Sequence, residues 1–213
     1  MVHCKTKAIV IDNKPVSANK NRVVLFTENF GKINVFLTGY GKAVNHWAGA
    51  FDAANILEIS CRKKGSFYTV TGWEFLCFYP DKNFLVFLLK QVMLEATNEV
   101  LPLNERNKNL FSWLEWALKN VSMKGICVYF ARLIYNGGFF NFSNGVLKKL
   151  LTGDFMCFIK DASPDNLRAM LNQEIGAIED FTGQPVKSYE MFTKDSSQIE
   201  LRKVSQLSQK REA

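Results

Sequence analysis

Residues 22–38 read R-V-V-L-F-T-E-N-F-G-K-I-N-V-F-L-T. Two runs rich in β-branched and aromatic residues flank Asn29-Phe30-Gly31, so the stretch predicts two antiparallel strands joined by a tight turn. In the second run Ile33, Val35 and Leu37 fall on one face, and Lys32, Asn34, Phe36 and Thr38 on the other. That alternation describes a sheet with one buried side.

Working outward, Lys5–Ile11 ends in A-I-V-I and predicts a first strand, with Asp12-Asn13-Lys14-Pro15 as the turn after it. Ala54–Cys61 predicts a fourth strand and Ser66–Phe75 a fifth, with Arg62-Lys63-Lys64-Gly65 as the hairpin tip between them. Five short strands with one long connection over 39–53 fit a small closed barrel of the OB type. After Pro80 the period changes from two to helical. A first helix is expected over Asn83–Asn98 behind an Asp81 cap, with Leu85, Leu88, Leu89 and Val92 as its stripe. A second is expected behind Asn107 or Asn109. A third, Lys124–Tyr135, stops at Gly137-Gly138. A fourth begins near Ser143 or Asn144. Ser163-Pro164 opens a fifth, expected to end near Gln173 before another runs to Thr182-Gly183. The fold class is therefore α+β, an N-terminal five-stranded OB barrel followed by an α-helical domain. The expected domains are 1–80 (barrel), 81–193 (helices) and 194–213 (a polar, frayed tail).

The chain has 213 residues, 47% of them hydrophobic and 22% charged. That excludes wholesale disorder and collagen-like sequence. The longest apolar runs, such as Phe84–Leu89, fall far short of the ~20 residues that span a bilayer. No signal peptide opens the chain, so no membrane partner and a cytoplasmic location are expected. The net charge is +7. Residues 1–80 hold ten basic and five acidic side chains, against 17 and 15 in the rest. An excess concentrated on the barrel suits a polyanion partner, although a merely solvated surface would look the same.

No catalytic constellation emerges. Phosphate-loop and nucleophile-elbow motifs are absent. The only histidines are His3 and His46. The five cysteines, at 4, 61, 77, 127 and 157, contain no C-x-x-C pair. They read as buried or idle thiols rather than zinc ligands or a disulfide framework. No enzyme activity, cofactor or metal is expected. Nucleic acid is the stronger reading, because OB barrels hold strands with cations and aromatic platforms. The candidate DNA-binding residues are Arg22, Lys32, Lys42, Arg62, Lys63 and Lys64 for phosphates, with Tyr40 and Tyr68 for bases. Phe36, Trp47 and Phe67 are further stacking candidates, although Phe36 and Phe67 would serve equally as core. An RNA-binding OB protein and a protein scaffold stay open as alternatives.

Several stretches resemble the RecO family of recombination mediators. They are Ala8–Ile11, then Phe26-Thr27 with Gly31-Lys32, then Gly39-Tyr40-Gly41-Lys42, then Leu57-Glu58-Ile59-Ser60. Phe130–Ile134 with Gly137-Gly138-Phe139 is similar to the family's helix ending in a glycine stop. Gly183-Gln184-Pro185-Val186-Lys187-Ser188 is similar to its G-K-P-L-K-S signature. Many members carry a four-cysteine zinc module after the glycine stop. Here Asn141–Lys149 has no cysteine, so the resemblance is to a short form without zinc. It implies a non-enzymatic DNA-repair adaptor, nucleoid-associated during repair, that binds single- and double-stranded DNA and anneals strands. Its implied partners are RecR and the acidic C-terminal tail of single-stranded DNA-binding protein, and together they help load RecA. The tail would meet Arg132. The Lys187-Ser188 motif reads as structural or functional.

Overall fold

The computed structural model describes residues 2–38, 49–65, 67–139 and 161–194. Five strands, β1 (Val2–Ser17), β2 (Lys20–Thr27), β3 (Gly31–Thr38), β4 (Ile56–Lys64) and β5 (Phe67–Cys77), close into a barrel in the order β1-β2-β3-β5-β4. Neighbours are antiparallel except β3 and β5, which run parallel and seal the barrel at Val35–Tyr68. This is an OB-type barrel, and helices follow it. They are α1 (Phe84–Val100), α2 (Lys108–Lys119), α3 (Met123–Gly137) and α4 (Pro164–Thr182), with residues 187–194 also helical.

Alternation sorts the barrel residues between two cores. Ala8, Val10, Val23, Leu25, Ile33, Val35, Leu37, Leu57, Ile59 and Cys61 fill the interior. Their alternates Ile9, Ile11, Val24, Phe26 and Ile56 point outward into the helical core. The part of the outer face of β1 and β2 around Ile9, Ile11, Val24 and Phe26 is therefore a docking platform for the helices. Phe26 meets Phe111 of α2 edge-on at 5.5 Å between ring centroids. Ion pairs Lys7–Glu115 and Lys108–Glu28 stitch the rim. At the β2–β3 turn Gly31 has φ +71°, and a Cβ there would lie 1.8 Å from the Glu105 carbonyl oxygen. Only glycine satisfies both the left-handed backbone and that approach.

Four elements differ from the sequence reading. The first strand does not stop at Ile11 but runs to Ser17. Asn13 makes no turn, because its amide donates to Phe51 O at 3.0 Å and its side-chain oxygen accepts from Asn21 at 2.8 Å. Pro15 is tolerated there because β4 pairs with β1 only from Val2 to Ile9, which leaves β1's far end an edge. The fourth strand begins at Ile56, since Ala54 takes φ +71°. Arg62, Lys63 and Lys64 do not form a tip: they pair with Thr69, Tyr68 and Phe67, and the turn falls at Gly65, φ +61°. Lastly, the stretch expected to break near Gln173 is one helix. Leu167, Met170, Leu171, Ile175 and Ile178 form a continuous buried stripe, which outweighs the cost of Gly176.

The caps follow the sequence more closely. Asn107, Ser122 and Ser163 each accept a bond from a first-turn amide, and Gly138 and Gly183 end their helices in the left-handed region. Helix α1 is capped by Asn83 rather than Asp81. Asp81 instead pairs with the buried Lys90 at 2.6 Å. The helix expected from Ser143 and the tail beyond 194 lie outside the described residues.

Candidate nucleic-acid interface

Register alone assembles a line of outward residues across the barrel. Lys14 on β1 faces Arg22 on β2, and Arg22 faces Phe36 on β3. One step along from the Val35–Tyr68 contact, Phe36 comes beside Thr69 on β5, and Thr69 faces Arg62 on β4. With strands ~4.8 Å apart, the path follows the curved barrel wall for about 19 Å over four spacings. It holds three cations around one aromatic ring. Phe36 is 41% exposed. The Lys20 ammonium lies 4.2 Å from its ring centroid, which places a further cation beside the platform. Lys63 is exposed at the end of β4, its ammonium 5.4 Å from the Tyr68 centroid.

The candidates named from sequence scatter differently. Arg22 and Arg62 are half-buried on the outer face, with Lys63 beside them. Lys32 is turned away: its ammonium donates to Asn98 O on α1, and burial lowers its pKa. It is a domain clasp rather than a phosphate contact. Tyr68 is a correction as well. It is 5% exposed, lines the barrel interior and packs on Phe30 at 5.5 Å. A base cannot stack on it without opening the barrel. Lys64 is placed only by its backbone, opposite Phe67 at the end of β4. Tyr40 and Lys42 lie outside the described residues. Lys14 and Lys20 were not among the sequence candidates. The signal that finds them is register, which strand periodicity without pairing does not supply. Lys14 also keeps an ion pair with Asp12 at 2.9 Å, and is otherwise exposed.

On the helical side, Arg132 stacks its guanidinium 5.1 Å over Trp113, which meets Trp116 edge-on at 5.6 Å. Trp116 and Tyr135 are exposed. The Lys187-Ser188 motif is structural in its backbone. Both carboxylate oxygens of Glu95 on α1 accept amides, from Lys187 at 3.1 Å and Ser188 at 2.8 Å, while Glu179 accepts from Val186 at 2.8 Å. Two carboxylates thus hold the start of the helical 187–194 segment. Among the described residues no group of three or more His, Cys, Asp or Glu could hold a metal, and no helix is long and apolar enough to cross a membrane.

The barrel's sequence matches a known domain. The family described as Recombination protein O N terminal covers residues 1–79, from the start of β1 to just past β5. The likeness to RecO covers the barrel, residues 1–79. The DNA repair protein RecO of Thermoanaerobacter sp. (strain X514) is 23% identical over 119 residues, which are 55% of this chain and 48% of that protein. The matched stretch thus spans about half the length of that curated relative. The line from Lys14 to Arg62 lies wholly within the matched residues.

Proposed function

We propose that the protein is a non-enzymatic DNA-binding recombination mediator in DNA repair. The observation that carries this reading is the exposed Phe36 set among Lys14, Lys20, Arg22 and Arg62 on a barrel whose sequence matches the RecO N-terminal domain. Cations along the line neutralise phosphates, and Phe36 takes a base face. Neutralised strands repel each other less, so the barrel holds single- or double-stranded DNA and lets complementary strands pair. No bond is made or broken in this role. The helical domain serves as the protein-binding half, with RecR and the acidic C-terminal tail of single-stranded DNA-binding protein as partners and RecA loading as the outcome. Arg132 beside exposed Trp116 suits a segment with both carboxylates and an apolar side chain. A reading of residues 1–80 and 81–193 as two domains fits this split, although their shared core makes them one packed body. The setting would be the cytoplasm, at the nucleoid during repair.

A strand-annealing assay with and without single-stranded DNA-binding protein tests the reading. Acceleration of annealing that persists on coated DNA supports it. Binding to RNA with equal affinity and no annealing would favour the RNA-binding alternative, and no nucleic-acid binding at low salt would favour the scaffold.

A further inference from the structure

Two cysteines 57 positions apart in sequence are direct partners across a pair of strands. Cys4 on β1 faces Cys61 on β4 in the antiparallel ladder. Opposed residues in such a ladder have Cα atoms about 4.5 or 5.5 Å apart, according to whether the pair exchanges hydrogen bonds. Both separations fall in the 4.4–6.8 Å range (about) that a disulfide bridges. The side chains also point the same way. Cys61 is fully buried in the barrel interior, and Cys4 packs against that same core. Register, separation and orientation therefore all converge on one sulfur pair.

We propose that Cys4 and Cys61 are a peroxide-sensitive thiol pair that closes to a cross-strand disulfide inside the barrel. Cys4 is only partly buried and reacts first, whereas burial pushes the Cys61 thiol up to about 11. The Cys4 thiolate attacks one oxygen of hydrogen peroxide, the O–O bond breaks, and the departing hydroxide leaves as water with the proton Cys4 gave up. This leaves a sulfenic acid. The Cys61 sulfur then attacks the sulfenic sulfur, the S–S bond forms as the S–O bond breaks, and hydroxide leaves as water with the Cys61 proton. Two thiols and one peroxide give one disulfide and two waters, with two electrons passing to the peroxide. The neighbouring rungs are His3–Arg62 and Val2–Lys63. The bridge would fix the start of β1 onto the strand end that carries Arg62 of the DNA-binding line and the exposed Lys63.

The test treats the full chain with hydrogen peroxide, alkylates it under denaturing conditions and maps the peptides. The expected result is a linked peptide pair containing Cys4 and Cys61, a loss of two alkylatable thiols, and recovery of both with dithiothreitol. Closing a loop of this length should also raise the melting temperature by roughly 5–15 °C. Cys61→Ser and Cys4→Ser should each abolish the linked pair and the shift. Peptide mapping of the unmodified sequence decides the matter even if a variant fails to fold. Cys4 going to sulfinic acid while Cys61 stays alkylatable would overturn the proposal, and so would linkage of either to another cysteine.

Discussion

Replacing Glu174 with glutamine should change how stability depends on pH. Glu174 sits on α4, 1% exposed, and neither of its carboxyl oxygens has a hydrogen-bond partner among the described residues. The nearby Cys127 thiol donates to Leu167 O, 3.6 Å away, and its weaker approach to Glu174 offsets only part of the effect of burial. Burial therefore raises the Glu174 pKa well above its ordinary value. Between the unfolded carboxyl value, about 4.3, and the raised folded value, the native state binds a proton that the unfolded chain has released. Stability is thus fully present below the unfolded pKa and falls as pH rises, by up to about 1.4 kcal/mol per pH unit. For a chain of this size that is roughly 3–6 °C of melting temperature per unit. Glu174→Gln keeps the shape and removes the titration, so its advantage over the parent should grow across the same window. The groups around it stay neutral across this window: Tyr189 is pushed to about 12, chiefly by burial, and Cys127 is raised too. Urea denaturation of both proteins at intervals from pH 5 to pH 8 is the assay. A difference in unfolding free energy that stays constant across that range would refute the reasoning.

Four further outcomes follow from the contacts. Phe36→Ala should weaken single-stranded DNA binding by about 1–3 kcal/mol while leaving the salt dependence unchanged. Tyr68→Ala should instead destabilise the fold by about 3–5 kcal/mol, and paired binding and melting measurements separate the two. Glu95→Ala leaves the Lys187 and Ser188 amides without their acceptor, so hydrogen exchange should accelerate over 187–194 and stability fall by about 1–3 kcal/mol. Gly31→Ala forces a Cβ onto Glu105 O and should prevent the β2–β3 turn from seating on the helical domain, seen as a large drop in the denaturation midpoint.

The barrel was legible because strand alternation is local. Ile33, Val35 and Leu37 alternate cleanly, and the structure buries all three. Helix ends were legible for the same reason, since Ser163-Pro164 and Gly138 act through their own backbone. What sequence could not supply was pairing. Phe36 and Tyr68 are both strand aromatics with similar neighbours. Alternation with Val35 and Leu37 already turns Phe36 away from the core, but only the Val35–Tyr68 rung shows that Tyr68 faces the interior. Lys32 looked like any basic strand residue until α1 brought the Asn98 carbonyl, 66 positions away, within its reach. Asp12-Asn13-Lys14-Pro15 carries every local turn signal, and Asn13's bonds to Phe51 and Asn21 override them. The Cys4–Cys61 rung is the same kind of information, invisible to spacing and plain in the ladder.

The most direct measurement is a salt titration of single-stranded DNA binding for the unmodified protein and for an Arg22→Glu, Arg62→Glu double variant. Three to five phosphate contacts predict a slope of log K against log salt of about −2 to −3.5. The double variant should bind much more weakly and with a shallower slope. Unchanged affinity and slope in the double variant would contradict the placement of the DNA site along Arg22 and Arg62 on the barrel's outer wall.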